Sequence, residues 1–116
     1  MKEENIEASP IQWKSYRTHV AGMAKVKGAQ DYAKGCRSGD GLYLARDPDN
    51  KHDSSAIAIH LLRNGELLGR VPIKHAAKIA PELDDGLMWR AKVANLRAET
   101  GRIVRLDVLI EVRMPR

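Results

Sequence analysis

"RIVRLDVLIEVR", residues 102–113, carries the plainest structural signal in the chain. Val104, Leu106, Val108, Ile110 and Val112 recur at every second position, with Arg105, Asp107 and Glu111 between them, which is the period of a strand with one buried face. Immediately upstream, "LMWRAKVANLRAE" (87–99) does the same, Leu87, Trp89, Ala91 and Val93 alternating with Met88, Arg90 and Lys92. Thr100 and Gly101 separate the two runs, so they read as neighbouring antiparallel strands.

The pattern continues toward the N-terminus. Ile57, Ile59 and Leu61 share one face of a strand and Ala56, Ala58 and His60 the other. Asn64-Gly65 then predicts a tight hairpin with both central residues at positive φ, returning through "LLGRVP" to a stop at Pro72. "LYLAR" (42–46) alternates Leu42 and Leu44 against Tyr43 and Ala45, and "YRTHVAGMAKV" (16–26) is β-prone, with Gly22 marking a bulge or a close backbone approach. Two short helices are expected. One covers 28–35; the other covers 73–83, with Ile73, Ala76, Ala77 and Ala80 on its apolar stripe and Pro81 limiting its length. About six strands joined mostly by hairpins give a mainly β fold with short helices, and a small closed or nearly closed antiparallel barrel leaves no long sheet edge exposed.

At 116 residues the chain is long enough for one core and too short for two. Residues 1–12 are polar and read as a flexible tail, with a single domain over 13–116. No run approaches the roughly 18 apolar residues of a membrane span, and "MKEENIEASP" has no apolar core for a signal peptide. The lone Cys36 has no internal disulfide partner, which suits a reducing cytoplasm.

Twenty Lys and Arg against fifteen Asp and Glu give a net charge of +5, unevenly spread. Residues 13–46 carry +5 and residues 54–116 carry +4, whereas the short segment 47–53 carries −2. An acidic notch thus sits inside a basic domain, whose moderate positive charge favours a polyanion or an acidic surface as partner but is also within the range that solubility alone explains.

That notch lies in "RDPDNKHDSSA" (46–56). A calcium loop requires Gly at its sixth position and Glu at its twelfth, but counting from Asp47 those are His52 and Ala58. His19, Cys36, His52, His60 and His75 lack the paired spacing of a zinc site, and no phosphate-cradling Gly loop precedes a Lys-Ser or Lys-Thr pair. No metal, cofactor or catalytic group is therefore expected. Asp47-Pro48-Asp49-Asn50 is a turn by composition, and Asn50 and Asp53 are left over with a role still to be found.

The run "GDGLYLARDPDNKHDSSAIAIHLLRNGELLGRVPIKHAAKIAPELDDG" (39–86) resembles the HIRAN domain, with Gly39-Asp40, Arg46, Pro48, Asn50, Asp53, Ala56-Ile57, Gly69, Pro72, Ala76 and "LDDG" (83–86) in order. The resemblance covers roughly residues 17–113. It implies a six-stranded OB-like barrel and a module that binds single-stranded DNA or 3′-OH DNA ends, found alone in bacteria or joined to SWI/SNF-type ATPases that remodel stalled replication forks. Any ATPase or nuclease activity then comes from a partner, and a cytoplasmic, nucleoid-associated location follows.

By the same resemblance Asn50 and Asp53 belong to an end-binding pocket, His52 stands where fork-remodelling members stack an aromatic on a base, and Lys25, Lys27, Arg46, Arg70 and Lys74 are the neighbouring cations. An ionised Asp accepts the proton of a terminal hydroxyl and repels an internal phosphodiester, so the chemistry is consistent with end selection. The aromatic residues of the family's first strand are missing from Met23–Lys27, and with them a stacking contribution of about 1–3 kcal/mol per base. Two other readings stand beside this one: an accessory module that binds protein and has lost DNA, and a metal-dependent hydrolase or nuclease accessory.

Overall fold

The computed structural model describes residues 11–115. Most of the expected tail, residues 1–10, lies outside the described residues. Regular structure starts at β1 (Trp13–His19) and proceeds through α1 (Ala29–Lys34), β2 (Gly41–Arg46), β3 (Ile57–Leu61), β4 (Leu67–Arg70), α2 (Ile73–Asp84), β5 (Trp89–Glu99) and β6 (Arg102–Arg113). All strand pairs are antiparallel, in the order β1-β6-β5-β2-β3-β4.

The six strands form a curled half-barrel consistent with an OB-like fold. Curling brings the two edges of the sheet together at one point, where Ala21, just past β1, bridges to Arg70 at the end of β4. Ala21 N donates to Arg70 O at 2.7 Å and Arg70 N to Ala21 O at 2.9 Å. The concave face is filled by Ile57, Ile59, Leu61, Leu68, Val93, Leu106, Val108, Ile110 and Val112, each at most 1% exposed. α2 adds Ala76, Ile79 and Ala80 to this core and is tied to β1 by Tyr16, whose hydroxyl donates to Glu82 Oε1 at 2.7 Å.

Several sequence expectations shift in register. In β6 the face Leu106, Val108, Ile110 and Val112 is buried as read, but Val104 is 40% exposed and Ile103 takes the inner place at 8%. The cause is a bulge: Arg97 pairs with Arg105 and Ala98 with Ile103, leaving Val104 as the extra residue. Gln30 of α1 secures the displaced segment, its amide donating to Ile103 O at 2.8 Å and accepting from Ile103 N at 3.0 Å.

The tight turn with two positive φ values falls at Thr100 (53°) and Gly101 (74°), between β5 and β6. At Asn64-Gly65 only Gly65 is left-handed, and the loop is longer, closed by Gly65 N to Leu61 O at 2.8 Å and Leu61 N to Glu66 O at 2.9 Å. Pro81 does not end α2, which runs on to Asp84; Ala77 and Ile73 face solvent and Ile79 replaces them on the buried stripe.

The strand expected over 16–26 stops at His19, and Met23–Lys25 form a single 3₁₀ turn. Gly22 serves that turn through its φ of +73°, with no atom near the position a Cβ would take. The close backbone approach is at Gly69 instead, where a Cβ would lie 2.5 Å from Ala21 O and 2.6 Å from Val20 Cγ1. Glycine at 69 is what lets the two sheet edges meet.

Candidate nucleic-acid interface

The meeting of the edges makes a cleft of about 610 Å³. One lip is Ala21, Gly22, Lys25 and Val26, the other is Leu67 and Gly69 to Ile73, and the loop between β2 and β3 contributes Asn50, His52 and Asp53. Residues more than fifty positions apart are thus brought within one concavity, and five of the eight expected contact residues line it: Lys25, Asn50, His52, Asp53 and Arg70.

Local hydrogen bonding shapes the loop. Asn50 N donates to Asp47 O at 3.2 Å, which makes the first four residues the expected turn. Asn50 Oδ1 then accepts from both His52 N (2.9 Å) and Asp53 N (3.1 Å), a side chain standing in for a backbone carbonyl. A second turn closes with Ala56 N to Asp53 O at 3.1 Å, and Asp47 N to Ala56 O at 3.0 Å seals the base. Asn50 is therefore the loop's organiser; its Nδ2 donates to Asp47 Oδ2 at 3.2 Å. That same Asp47 oxygen is 3.7 Å from Arg70 Nη1, so the loop is tied electrostatically to β4 across the cleft.

Asp53 differs from Asn50. Its Oδ1 accepts from Ser55 N at 2.9 Å, and among the described residues no hydrogen bond reaches Oδ2. The side chain is half-buried at the cleft, with the exposed His52 and Lys25 beside it. The result is a fixed carboxylate with one acceptor left over, in a concavity whose other charged lining groups are cations. Val26, Leu67, Val71, Pro72 and the 69% exposed Ile73 supply apolar walls suited to the face of a base or sugar.

Three expected residues are placed elsewhere. Arg46 forms a bidentate pair with Asp84 (Nε to Oδ1 2.9 Å, Nη2 to Oδ2 3.0 Å) and also donates to Ala56 O (2.7 Å) and Ser54 O (2.9 Å). With its donors so occupied it pins the loop to the end of α2 and is not available to a ligand. Its hydrogen bonds hold the Asp84 carboxyl below the usual value. Lys27 is exposed beyond the 3₁₀ turn, outside the cleft lining, and Lys74 is exposed on the first turn of α2. Sequence reasoning missed Asp47 as a link to Arg70 and gave no weight to Ile73 as an apolar rim. The first needed the loop's three-dimensional path; the second was hidden because Ile73 reads as part of the helix's apolar stripe, whereas the fold leaves it exposed.

Among the described residues no group of three or more His, Cys, Asp or Glu is gathered as a metal site would require. Among the described residues, too, no helix is long and apolar enough to cross a membrane.

A curled, six-stranded antiparallel half-barrel with a basic, partly apolar cleft at its seam defines the class: a small β module of the OB-like type. Residues 14–114 match the HIRAN domain family, and the chain belongs to it, a family of DNA-binding modules rather than catalysts. Among solved structures, the HIRAN domain of human HLTF is 22% identical, with a TM-score of 0.68 over 85% of this chain and 74% of that one. A protein from Lactobacillus plantarum is 19% identical, with a TM-score of 0.71 over 89% of this chain and 99% of that one. Both likenesses concern the fold. No curated protein matches the chain.

Proposed function

We propose that this protein binds single-stranded DNA by its 3′-OH end, with the terminal nucleotide in the seam cleft, and serves repair or replication-fork processing beside a partner ATPase. The observation that carries the reading is the Oδ2 of Asp53, without a hydrogen-bond partner among the described residues, in a cleft whose basic side chains are Lys25, His52 and Arg70. A terminal hydroxyl donates to that oxygen; a phosphate in its place brings about −1.5 to −2 charges against it. Lys25 and Arg70 neutralise the preceding phosphates, His52 stacks on a base, and Ile73 and Val26 take the apolar edge of the sugar. Membership of a DNA-binding family supports the ligand class.

The test is anisotropy titration of 3′-OH and 3′-phosphate oligonucleotides of one sequence at two salt concentrations. The expected outcome is at least tenfold tighter binding of the 3′-OH strand, about 1.4 kcal/mol, and loss of that preference in Asp53→Asn. Equal affinity for the two ends refutes end recognition. Binding without salt dependence refutes the DNA reading and leaves a protein partner as the alternative.

A further inference from the structure

A second concavity of about 390 Å³ lies next to the first and is absorbed by nothing above. It is lined by Arg17 and His19 of β1, Arg105 and Asp107 of β6, Asn95 of β5 and His75 of α2. The two clefts are adjacent along two elements at once. On the β1 side, His19 faces one and Ala21 the other; on α2, His75 faces one and Ile73 the other, with exposed Lys74 between. Two residues of extended chain span about 7 Å, the scale of a single nucleotide step.

The groups in the second cleft match the acceptor oxygens of a phosphodiester. Arg17 is exposed and, among the described residues, has no ion-pair partner. Arg105 uses Nε on Asp107 Oδ1 at 2.6 Å, which fixes the guanidinium and leaves its two terminal nitrogens without a described partner. His75 Nδ1 lies 2.6 Å from Thr18 Oγ1, so the ring is oriented through one nitrogen and the other remains for a ligand. Thr18 is itself 4% exposed, the one buried polar residue among those described, and the contact accounts for it.

We infer that this cleft is a phosphate subsite for the sugar-phosphate backbone of the same strand, inward of the two terminal nucleotides that the seam cleft holds with their end at Asp53. This inference rests on the proposed end-binding reading for its polarity, and on its own geometry for its chemistry. The seam cleft then supplies selection of the end, and the second cleft supplies grip that grows with strand length. Asp107 is the only acid lining the site among the described residues, and its pairing with Arg105 prevents it from opposing the ligand with a full charge.

The subsite is also pH-sensitive. Burial, together with the charges of Arg105, His75 and Lys74 and against that of Asp107, holds His19 below its ordinary value of 6.5. On its own strand the other charges are Arg17 and, further off, Lys14, which is paired with Glu82. A bound phosphate favours the imidazolium, so affinity rises as pH falls below neutrality.

The experiment compares a 3′-OH dinucleotide, which fills the seam cleft alone, with a 3′-OH octanucleotide, for wild type, Arg17→Ala, Arg17→Lys and His19→Gln. For the octanucleotide, Arg17→Ala should cost about 3–10-fold and lower the salt slope by about 0.7, and Arg17→Lys should restore most of both. Dinucleotide affinity should stay within twofold in every variant. Between pH 8 and pH 5.5 the octanucleotide should gain affinity beyond any gain of the dinucleotide, and His19→Gln should remove that excess. An NMR titration of the His19 imidazole should show its pKa rising on octanucleotide binding and not on dinucleotide binding. Unchanged octanucleotide affinity in Arg17→Ala, or an equal loss for both lengths, overturns the subsite. Failure of end recognition appears separately, as equal wild-type affinity for 3′-OH and 3′-phosphate strands with the length-dependent losses intact.

Discussion

Gly69→Ala is the sharpest test of how the fold makes its cleft. The added methyl would sit 2.5 Å from Ala21 O and 2.6 Å from Val20 Cγ1, whereas ordinary contact begins at 3.4 Å, so the sheet edges must part by nearly an ångström. Overpacking of this kind costs about 1–3 kcal/mol. The same movement stretches the two Ala21–Arg70 hydrogen bonds, now 2.7 and 2.9 Å, at about 1 kcal/mol each. The expected loss is about 3–5 kcal/mol, a large part of the 5–15 kcal/mol typical of a domain. Urea unfolding followed by Trp fluorescence measures it as a lower midpoint at unchanged slope. Gly22→Ala is the control: its φ of +73° brings strain but no collision, so it should cost about 1–2 kcal/mol. A Gly69→Ala loss below 1 kcal/mol, or no larger than that of Gly22→Ala, refutes the view that this glycine exists to let the edges meet.

Other outcomes follow from the same geometry. Arg46→Ala frees Ser54 O, Ala56 O and Asp84, and should cost about 2 kcal/mol in the same unfolding assay while weakening oligonucleotide binding through a loosened loop. The lowered Asp84 value also makes this pair acid-sensitive: its stabilisation is full above the ordinary value of 3.8 and is lost as pH falls through the lowered one, and the Arg46→Ala variant should lack that component of the pH profile. Thr100→Asn should stabilise by about 0.5–1 kcal/mol, because a β-branched residue at φ 53° is strained where Asn is not, and thermal melts will show it. Cys36 is 7% exposed and burial pushes its thiol up, so the native protein should react with a thiol reagent far more slowly than the urea-unfolded chain.

Much of the architecture is legible in the sequence because period-2 patterning is a direct imprint of one-sided burial. β6 and β5 announce themselves in this way, as does β3 between its polar loop and its hairpin. What the pattern does not carry is the count of residues on the opposing strand. A bulge opposite Arg97 and Ala98 exchanges Val104 for Ile103 without altering either sequence run. Likewise Asn64-Gly65 is the stronger turn signal by residue type, yet Thr100-Gly101 is where two strands are joined by only two residues. At the site, the motif singled out Asn50 and Asp53 together, and only the hydrogen bonds separate the organiser from the residue with an acceptor to offer. Arg46 was the least legible, since its partner Asp84 is 38 positions away. The second cleft was not legible at all: its basic residues come from three elements far apart in the chain and form no run.

The bridge between Ala21 and Arg70 gives the molecule a place where it can breathe. Two backbone hydrogen bonds hold the outermost strands together there, while the interior strands are laddered on both sides. Local opening at such a point lies well below the free energy of global unfolding, so the amide protons of Ala21 and Arg70 exchange with solvent long before those of Val108 and Ile110. A ligand spanning both lips slows that exchange without touching the core. Occupancy is therefore readable from two amide signals, in a chain whose rigid centre reports nothing of it.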